Sequence, residues 1–232
     1  PTGPMVTGEP KNYMNSTSLR LDQAFDAFDV AAYINRSANN DQKFGDYDAT
    51  SVDDIEVAAQ KNISDELGGG IEVTSNSGGP LSWIAGVNYF EMEVDYDYDL
   101  RLGTIPGRAN STGHQTYNLD TYGLFASVDY ELNEQWVLNV GGRYTHEEKE
   151  VYVRASSAAF AGYERTTLAA GLLPNRASEE WNEFTPRVTL TYNMENGIAY
   201  ATYASGFKSG GFNFPNRIGG QTLDPETLDM IE

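Results

Sequence analysis

The side chains best suited to chemistry are carboxylates on one strand-like segment, where aspartates alternate with tyrosines. The three aspartates are Asp95, Asp97 and Asp99. Alternate residues of an extended strand share a face, and carboxylate oxygens are the ligands that hard cations prefer. Such runs more often form a solvated strand face, and we favour that interpretation over a metal site. A second acidic run, interpreted in the same way, consists of Glu147, Glu148 and Glu150.

A second arrangement, at residues 206–209, resembles the end of a phosphate-binding loop. It fails that pattern because Phe207 separates Gly206 from the lysine, and no glycine lies five positions before Gly206. We expect the glycines at 206, 210 and 211 to let a strand bend into a loop. Lys208 and Asn213 are candidate ligand contacts at the rim of the fold, although a purely structural loop is the simpler interpretation.

Composition excludes several other classes of function. The chain has no cysteine and only two histidines, His114 and His146, so neither a thiol metal site nor a Ser-His-Asp or Cys-His constellation is predicted. We therefore predict no catalytic residue, no metal, no cofactor and no enzyme activity. Lys plus Arg is 15 and Asp plus Glu is 34, giving a net charge of −19, which excludes a nucleic-acid partner.

The elements that position these residues are predicted to be β-strands. Four segments alternate apolar and polar side chains with a period of two, the pattern of half-buried strands. They lie within residues 28–35, 117–130, 136–146 and 182–194. Residues 198–207 alternate less cleanly, and their outward face is left unassigned. We count about eight full strands and the start of a ninth, and residues 1–15 are predicted to be loop.

Two local features are expected to perturb these strands. Pro186 lacks a backbone donor, which predicts an edge or bulge position. Three consecutive glycines at 68–70 weaken a strand and predict a bulge there.

The connections between strands alternate in length. Short ones are predicted at residues 76–81, 131–135 and 193–197. Long ones are predicted at residues 39–54, 101–115, 156–180 and 209–224. An up-and-down membrane barrel sorts its connections in this way, whereas a Greek-key sandwich does not. The chain has no run of about 18 apolar residues, but a barrel strand crosses with about 9–11 alternating ones. Aromatic residues at strand ends, such as Trp83, Tyr130, Trp136 and Tyr192, are typical of a membrane interface.

Several motifs resemble one family in order and spacing. The run Tyr-Ala-Thr-Tyr-Ala-Ser-Gly-Phe-Lys-Ser-Gly-Gly-Phe-Asn-Phe at 200–214 is followed by Pro-Glu-Thr at 225–227. Earlier runs are Gly-Pro-Leu-Ser-Trp-Ile-Ala-Gly at 79–86, Val-Gly-Gly-Arg-Tyr-Thr-His-Glu-Glu-Lys at 140–149 and Phe-Thr-Pro-Arg at 184–187. Over roughly residues 60–232 the sequence resembles the barrel region of TonB-dependent outer-membrane receptors.

This resemblance implies an all-β, antiparallel up-and-down transmembrane barrel segment of about 8–9 strands from a 22-stranded type of barrel. Residues 1–232 would form part of that barrel domain, with the plug and the C-terminal strands absent. The expected activity is uptake of a scarce nutrient across the bacterial outer membrane, with a ferric siderophore the foremost ligand class. Cobalamin, sugars and oligosaccharides remain open. The implied partners are the TonB complex through the plug, the ligand, and outer-membrane lipid.

Side-chain parity adds candidates for the lumen of such a barrel. Arg143, Arg187 and Glu183 lie on the polar faces of their strands and are expected to point inward, where they could pair with a plug. Two other functions stay open from the residues alone. One is a secreted glycan-binding β-sandwich, and the other is a small complete outer-membrane barrel with a structural or adhesive role.

Overall fold

The regular structure of the chain is built from β-strands. A computed structural model describes residues 10–46, 56–76, 78–101, 111–156, 176–212 and 222–232. Within these ranges no helix is long and apolar enough to cross a membrane. The strands are β1 (Lys11–Ala24), β2 (Phe28–Asp46), β3 (Glu56–Ser75), β4 (Leu81–Arg101), β5 (Ser111–Glu131), β6 (Trp136–Ser156), β7 (Arg176–Met194), β8 (Gly197–Lys208), β9 (Gly211–Phe212), β10 (Thr222–Leu223) and β11 (Glu226–Ile231).

Nine of these strands form one antiparallel sheet whose order is β1 to β8 followed by β11, and β9 and β10 pair with each other. Every neighbour in the large sheet is therefore the next long strand along the chain. This meander confirms the predicted up-and-down order and the predicted number of strands. β1 and β11 lie at opposite edges of the sheet, so the described strands do not close into the small complete barrel that was considered as an alternative.

The connections alternate in length as predicted. At one end of the sheet the strands are joined by residues 25–27, 76–80, 132–135 and 195–196. At the other end the connections are longer, and residues 47–55, 102–110 and 157–175 lie outside the described part of the chain. The short turn at residues 25–27 was not predicted, and the prediction of loop at residues 1–15 was wrong for its last five residues, which begin β1. Lys11 to Asn15 instead pair with residues 38–42 of β2.

Three strands are longer than predicted, because β2, β5 and β7 extend well into residues that were predicted to be long connections. β4, β5 and β6 each contain 21 residues, about twice the 9–11 that a membrane crossing needs. The predicted long loops at 39–54, 101–115 and 156–180 were therefore too wide. Polar residues continue these strands because a ladder of backbone hydrogen bonds does not require apolar side chains. At about 3.4 Å per residue, such a strand is about 70 Å long.

The register places the exposed large apolar side chains of β4 to β7 on one face, whereas Phe125 and Trp181 lie on the other. Val87 lies opposite Leu124, which lies opposite Tyr144, which in turn lies opposite Phe184. We call this surface the apolar belt; among its members are Leu19, Leu21, Ile34, Ile71, Val87, Leu124, Val140, Phe184 and Val188. These side chains are exposed, Leu124 at 58%. Within the described residues the only buried hydrophobic side chain is Val151. No second layer of described residues covers the belt, unlike the core of a β-sandwich.

Aromatic residues bracket the belt at both ends. Near the short connections the rings of Trp136 and Tyr192 lie 4.6 Å apart. Toward the long connections the rings of Tyr89 and Tyr122 lie 4.9 Å apart. Tyr122 and Tyr130 of β5 share the belt face and are separated by about 27 Å at about 3.4 Å per residue. Tilted by 35–45°, as barrel strands are, that length spans a height of about 19–22 Å, slightly less than an apolar band of about 25 Å.

The structure also settles the strand whose faces the sequence left open. Tyr203 of β8 lies opposite Val188 and belongs to the belt face, whereas Tyr200 lies opposite Thr191 on the polar face. The ladder between β7 and β8 stops at Arg187 and Ala204, one residue before Pro186, so this proline lies where β8 no longer pairs with β7.

The bulge predicted at the three glycines is wrong. Residues 68–70 pair without interruption with both neighbouring strands, and the irregularities of β3 lie nearer the long connections, between Val57 and Ala59 and opposite Lys43 and Gly45. The glycines serve close packing instead of a register shift.

Close packing against glycine recurs on the polar face. Gly86 lies directly opposite Phe125, and a Cβ atom on Gly86 would come within 2.6 Å of that ring and 2.8 Å of the Ile71 carbonyl oxygen. The Phe125 ring thus packs on backbone that is accessible because Gly86 has no side chain. The Ile71 carbonyl oxygen belongs to the backbone and has no room to move away. A side chain at position 86 would force the ring off its present position.

We expect Gly86→Val to destabilise the full-length protein by about 1–3 kcal/mol because it overpacks the sheet at this contact. The measurement is the urea midpoint of unfolding. Gly79→Ala is the matched control, because a Cβ at Gly79 meets nothing within 4 Å. Equal midpoints for the two variants would contradict the packing role of Gly86.

Candidate functional site

The most elaborate group of side-chain contacts on the polar face joins β6 and β7 to the connection that follows β8. Glu147 and Lys149 are alternate residues of β6, and Trp181 of β7 lies opposite Glu147. All three share the polar face with Arg143 because they have the same strand parity. Ser209 and Gly210, which follow β8, lie against them. We call these five residues the loop anchor.

Lys149 is the centre of the loop anchor. Its Nζ donates to Ser209 Oγ at 2.6 Å and to the Gly210 carbonyl oxygen at 2.7 Å, and it lies 2.7 Å from Glu147 Oε1. The same Nζ lies 5.3 Å from the centroid of the Trp181 ring, within cation–π range. Ser209 Oγ donates to Glu147 Oε1, which closes the network. Every donor direction of the ammonium group is therefore used.

Burial makes these contacts stronger than those of a surface pair. The side chains of Lys149 and Glu147 are 12% and 16% exposed. A charge removed from water to this degree depends on its partner, so loss of either residue leaves the other buried and unpaired. The network thus ties the chain after β8 to the wall formed by β6 and β7.

Gly210 is required by space at this point. A Cβ on Gly210 would lie 2.3 Å from the Leu223 carbonyl oxygen and 2.6 Å from Trp181 Nε1. The Trp181 ring also meets the ring of Phe212 edge-on at 6.5 Å. β9 and β10 then pair through Phe212 and Thr222. The glycines were expected to let the strand bend into a loop. At Gly210 a glycine is needed for another reason, because the backbone there lies close to the Trp181 indole.

The three lumen candidates lie on the same polar face. Arg143 Nε donates to Thr145 Oγ1 at 3.0 Å, and its guanidinium covers Gly123, where a Cβ would lie 2.2 Å from Nη2. Arg187 is exposed beside a polar concavity and Glu183 is half-buried, and neither forms an ion pair with another described residue. The structure therefore brings these residues to one face without pairing them to one another.

The two candidate ligand contacts at the rim are Lys208 and Asn213, and only Lys208 lies within the described residues. Lys208 lies opposite Glu226 in the ladder between β8 and β11, and its Nζ is 3.2 Å from Glu226 Oε1. These side chains are 74% and 73% exposed, so the pair contributes little to stability. Asn213 lies outside the described residues.

The aspartate run is on the belt side of the sheet, beyond the aromatic row. His114 Nδ1 lies 2.7 Å from Asp97 Oδ1, and Thr116 Oγ1 donates to Asp95 Oδ1 at 2.8 Å. The described residues contain no group of three or more His, Cys, Asp or Glu side chains arranged to hold a metal ion. Asp95 and Asp97 therefore have hydrogen-bond partners within the strands.

Sequence reasoning missed the loop anchor and was wrong about Glu147, which was interpreted as part of a solvated face with Glu148 and Glu150. Glu147 is instead largely buried beside Lys149. The alternation of side chains along β6 could have distinguished Glu147 from the other two glutamates. Glu147 lies on the same face as Arg143, whereas Glu148 and Glu150 lie on the opposite face. Lys149 was not singled out, since its partners lie about 60 residues further along the chain.

Comparisons with known proteins agree on one family. A family model described as TonB dependent receptor-like, beta-barrel, matches residues 3–232. No curated protein sequence matches the chain.

Several solved structures share the fold. The ferric yersiniabactin uptake receptor FyuA from Yersinia pestis has a TM-score of 0.68 at 12% identity, and the match covers 95% of this chain and 32% of FyuA. The siderophore receptor PiuA from Acinetobacter baumannii has a TM-score of 0.62 at 14% identity, with 96% and 37% covered. The copper transporter OprC has a TM-score of 0.70 at 12% identity, with 96% and 36% covered. The chain thus spans about a third of the length of these proteins.

We expect Lys149→Met to loosen the loop anchor, because it removes two hydrogen bonds from a charged donor and leaves Glu147 unpaired. At about 2 kcal/mol of lost local stability, amide exchange at residues 209–212 of the full-length protein should accelerate about 30-fold. Hydrogen exchange followed by mass spectrometry measures this change. Lys208→Met is the control, since its exposed pair should alter exchange less than threefold. Similar exchange rates in the two variants would show that Lys149 does not hold the connection.

Proposed function

Since the matching family model covers residues 3–232, the chain belongs to the TonB dependent receptor-like β-barrel family, and we propose that it forms part of the wall of a nutrient-uptake receptor in a bacterial outer membrane. The chain corresponds to about a third of the related solved structures. Transport is therefore proposed for the complete receptor, to which these strands contribute. The complete receptor would include a plug that fills the lumen and contacts the TonB complex.

The exposed apolar belt is the observation that carries this proposal. A single-layered sheet with aliphatic side chains exposed along many strands would aggregate in water. In lipid the same face is favourably placed, and the ladders from β4 to β7 pair these strands without a register shift, as the absence of water requires. The aromatic rows at both edges of the belt match the two interfaces of a bilayer. A glycan-binding sandwich would instead cover this face with a second sheet.

The polar face would then line the lumen. Arg187 and Glu183 have no charged partner among the described residues, so both could accept a partner from a plug. Arg143 is already held by Thr145 and would contribute through its fixed position over Gly123. We propose that Arg187 and Glu183 are the wall residues that contact the plug most directly, and that Arg143 supports the same surface.

A ferric siderophore is the cargo that we propose. Two similar structures, FyuA and PiuA, are described as receptors for ferric yersiniabactin and for a siderophore, while OprC is described as a copper transporter. The described strands do not distinguish these ligands. Lys208 and Asn213 are proposed to contact cargo at the extracellular rim, close to the connection held by the loop anchor.

We expect Val140→Arg to destabilise the complete barrel in lipid by about 2–4 kcal/mol, because it places a cation on the lipid side near the middle of the belt. Folding into vesicles under increasing urea measures the loss. Asn139→Arg is the matched control on the next residue and the opposite face, where the new cation would lie near Asp129. If Asn139→Arg were the more damaging substitution, the assignment of the faces would be reversed.

We expect the complete receptor to support uptake of radiolabelled ferric siderophore in cells that lack their own siderophore receptors. Uptake should fall to background when TonB is deleted, because the transport step needs energy coupling. Copper and vitamin B12 uptake, measured in the same cells, serve as alternatives for the cargo. TonB-dependent uptake of copper alone would retain the receptor function and overturn the siderophore assignment.

A further inference from the structure

A group of apolar side chains lies on the polar face of the sheet, beside the loop anchor. Strand pairing brings Met92 of β4 opposite Leu119 of β5. One level further toward the long connections, Val94 lies opposite Tyr117, which lies opposite Val151 of β6. We call these five residues the apolar panel. Val151 is buried and the other four are half-buried. An apolar patch on a face that meets water gives the hydrocarbon part of an organic ligand a surface to contact.

Carboxylates stand at both ends of the row of side chains that crosses the panel. The row consists of Glu66, Met92, Leu119, Lys149 and Glu179, one residue from each of β3 to β7. Glu66 is half-buried and Glu179 is exposed, and neither forms an ion pair or a side-chain hydrogen bond with another described residue. The lysine of the row is not available to them, because its ammonium group is engaged within the loop anchor.

The described lysines on this part of the polar face all have carboxylate partners. The Nζ atoms of Lys43 and Lys149 each lie 2.7 Å from a carboxylate oxygen, and that of Lys208 lies 3.2 Å from one. The described arginines of this face lie at levels nearer the short connections. The two carboxylates of the row therefore give the wall around the panel an excess of negative charge.

We propose that the apolar panel contacts the organic part of a ferric siderophore whose iron complex carries no net negative charge. Three singly charged hydroxamate groups neutralise Fe³⁺, whereas three doubly charged catecholates leave a trianion, which Glu66 and Glu179 would repel. The hydroxamate class therefore fits this wall better than the catecholate class. The inference rests on the proposed function, because the polar face must line the lumen for cargo to meet it. It goes further by naming the class of siderophore.

The test uses the complete receptor, purified in detergent, and the ferric complex of the linear trihydroxamate desferrioxamine B in three forms. The free amine makes the complex a monocation, N-acetylation makes it neutral and N-succinylation makes it a monoanion. Ferric enterobactin, a tricatecholate, supplies the trianion. Equilibrium binding of complexes labelled with radioactive iron gives the dissociation constants. At low ionic strength we expect the monocation to bind about tenfold more tightly than the monoanion, and the trianion to bind most weakly. Concentrated salt should reduce this ratio, because it screens the charges.

Paired substitutions on the two faces separate the charge of the panel from the charge of the whole protein. Glu66→Gln combined with Glu179→Gln should reduce the tenfold ratio to about twofold. Glu93→Gln combined with Glu180→Gln is the matched control. Glu93 and Glu180 follow residues of the row in sequence, so their side chains lie on the opposite face at almost the same level. The control loses the same net charge and should keep the ratio. A shift in gel mobility on heating confirms that each variant is a folded barrel.

Three results overturn the proposal: tighter binding of the monoanion or the trianion, a ratio near one in the natural protein, or equal ratios in the two double variants. A receptor that gives any of these results and still imports one of the iron complexes refutes the charge preference alone. If the folded receptor binds none of the four complexes, the siderophore assignment is refuted and the charge preference is refuted with it.

Discussion

The fold depends on the antiparallel ladders of backbone hydrogen bonds that join β1 to β8 in chain order. In a bilayer there is no water to satisfy a backbone amide, so every group that is not at an edge needs a strand partner. The register of these ladders also decides which side chains share a face. A slip of one residue between two strands would move every apolar side chain of one strand to the polar face.

The functional features follow from that register. Glu147, Lys149 and Trp181 meet the chain after β8 because they share the polar face at one level of the sheet. On the opposite face, the same alignment brings Val87, Leu124, Tyr144 and Phe184 into one row of the apolar belt. Glu147, Lys149 and Trp181 become neighbours through strand pairing, whereas Ser209 and Gly210 reach them because the connection after β8 folds back.

Much of the architecture could be predicted from the sequence. Alternation in residues 117–130 and 136–146 predicted the strands and their apolar faces. Turn residues predicted the alternation of short and long connections. The ends of β2 and β5 nearest the long connections were not predicted, because residues 39–46 and 111–115 are mostly polar and show no clear alternation. The face of β8 was ambiguous because Tyr200 and Tyr203 are both aromatic, and only pairing with β7 separates them.

The candidate site was less predictable. Parity placed Arg143, Arg187 and Glu183 on one face, but the contacts of Lys149 with Ser209 and Gly210 depend on how a distant connection folds back. The near absence of a buried core also bears on how such a chain changes over generations. Lipid is fluid and does not require side chains to fit one another, so belt positions can exchange one apolar residue for another freely. Shared architecture at low sequence identity is what such freedom predicts, and the matches to FyuA and OprC are at 12% identity.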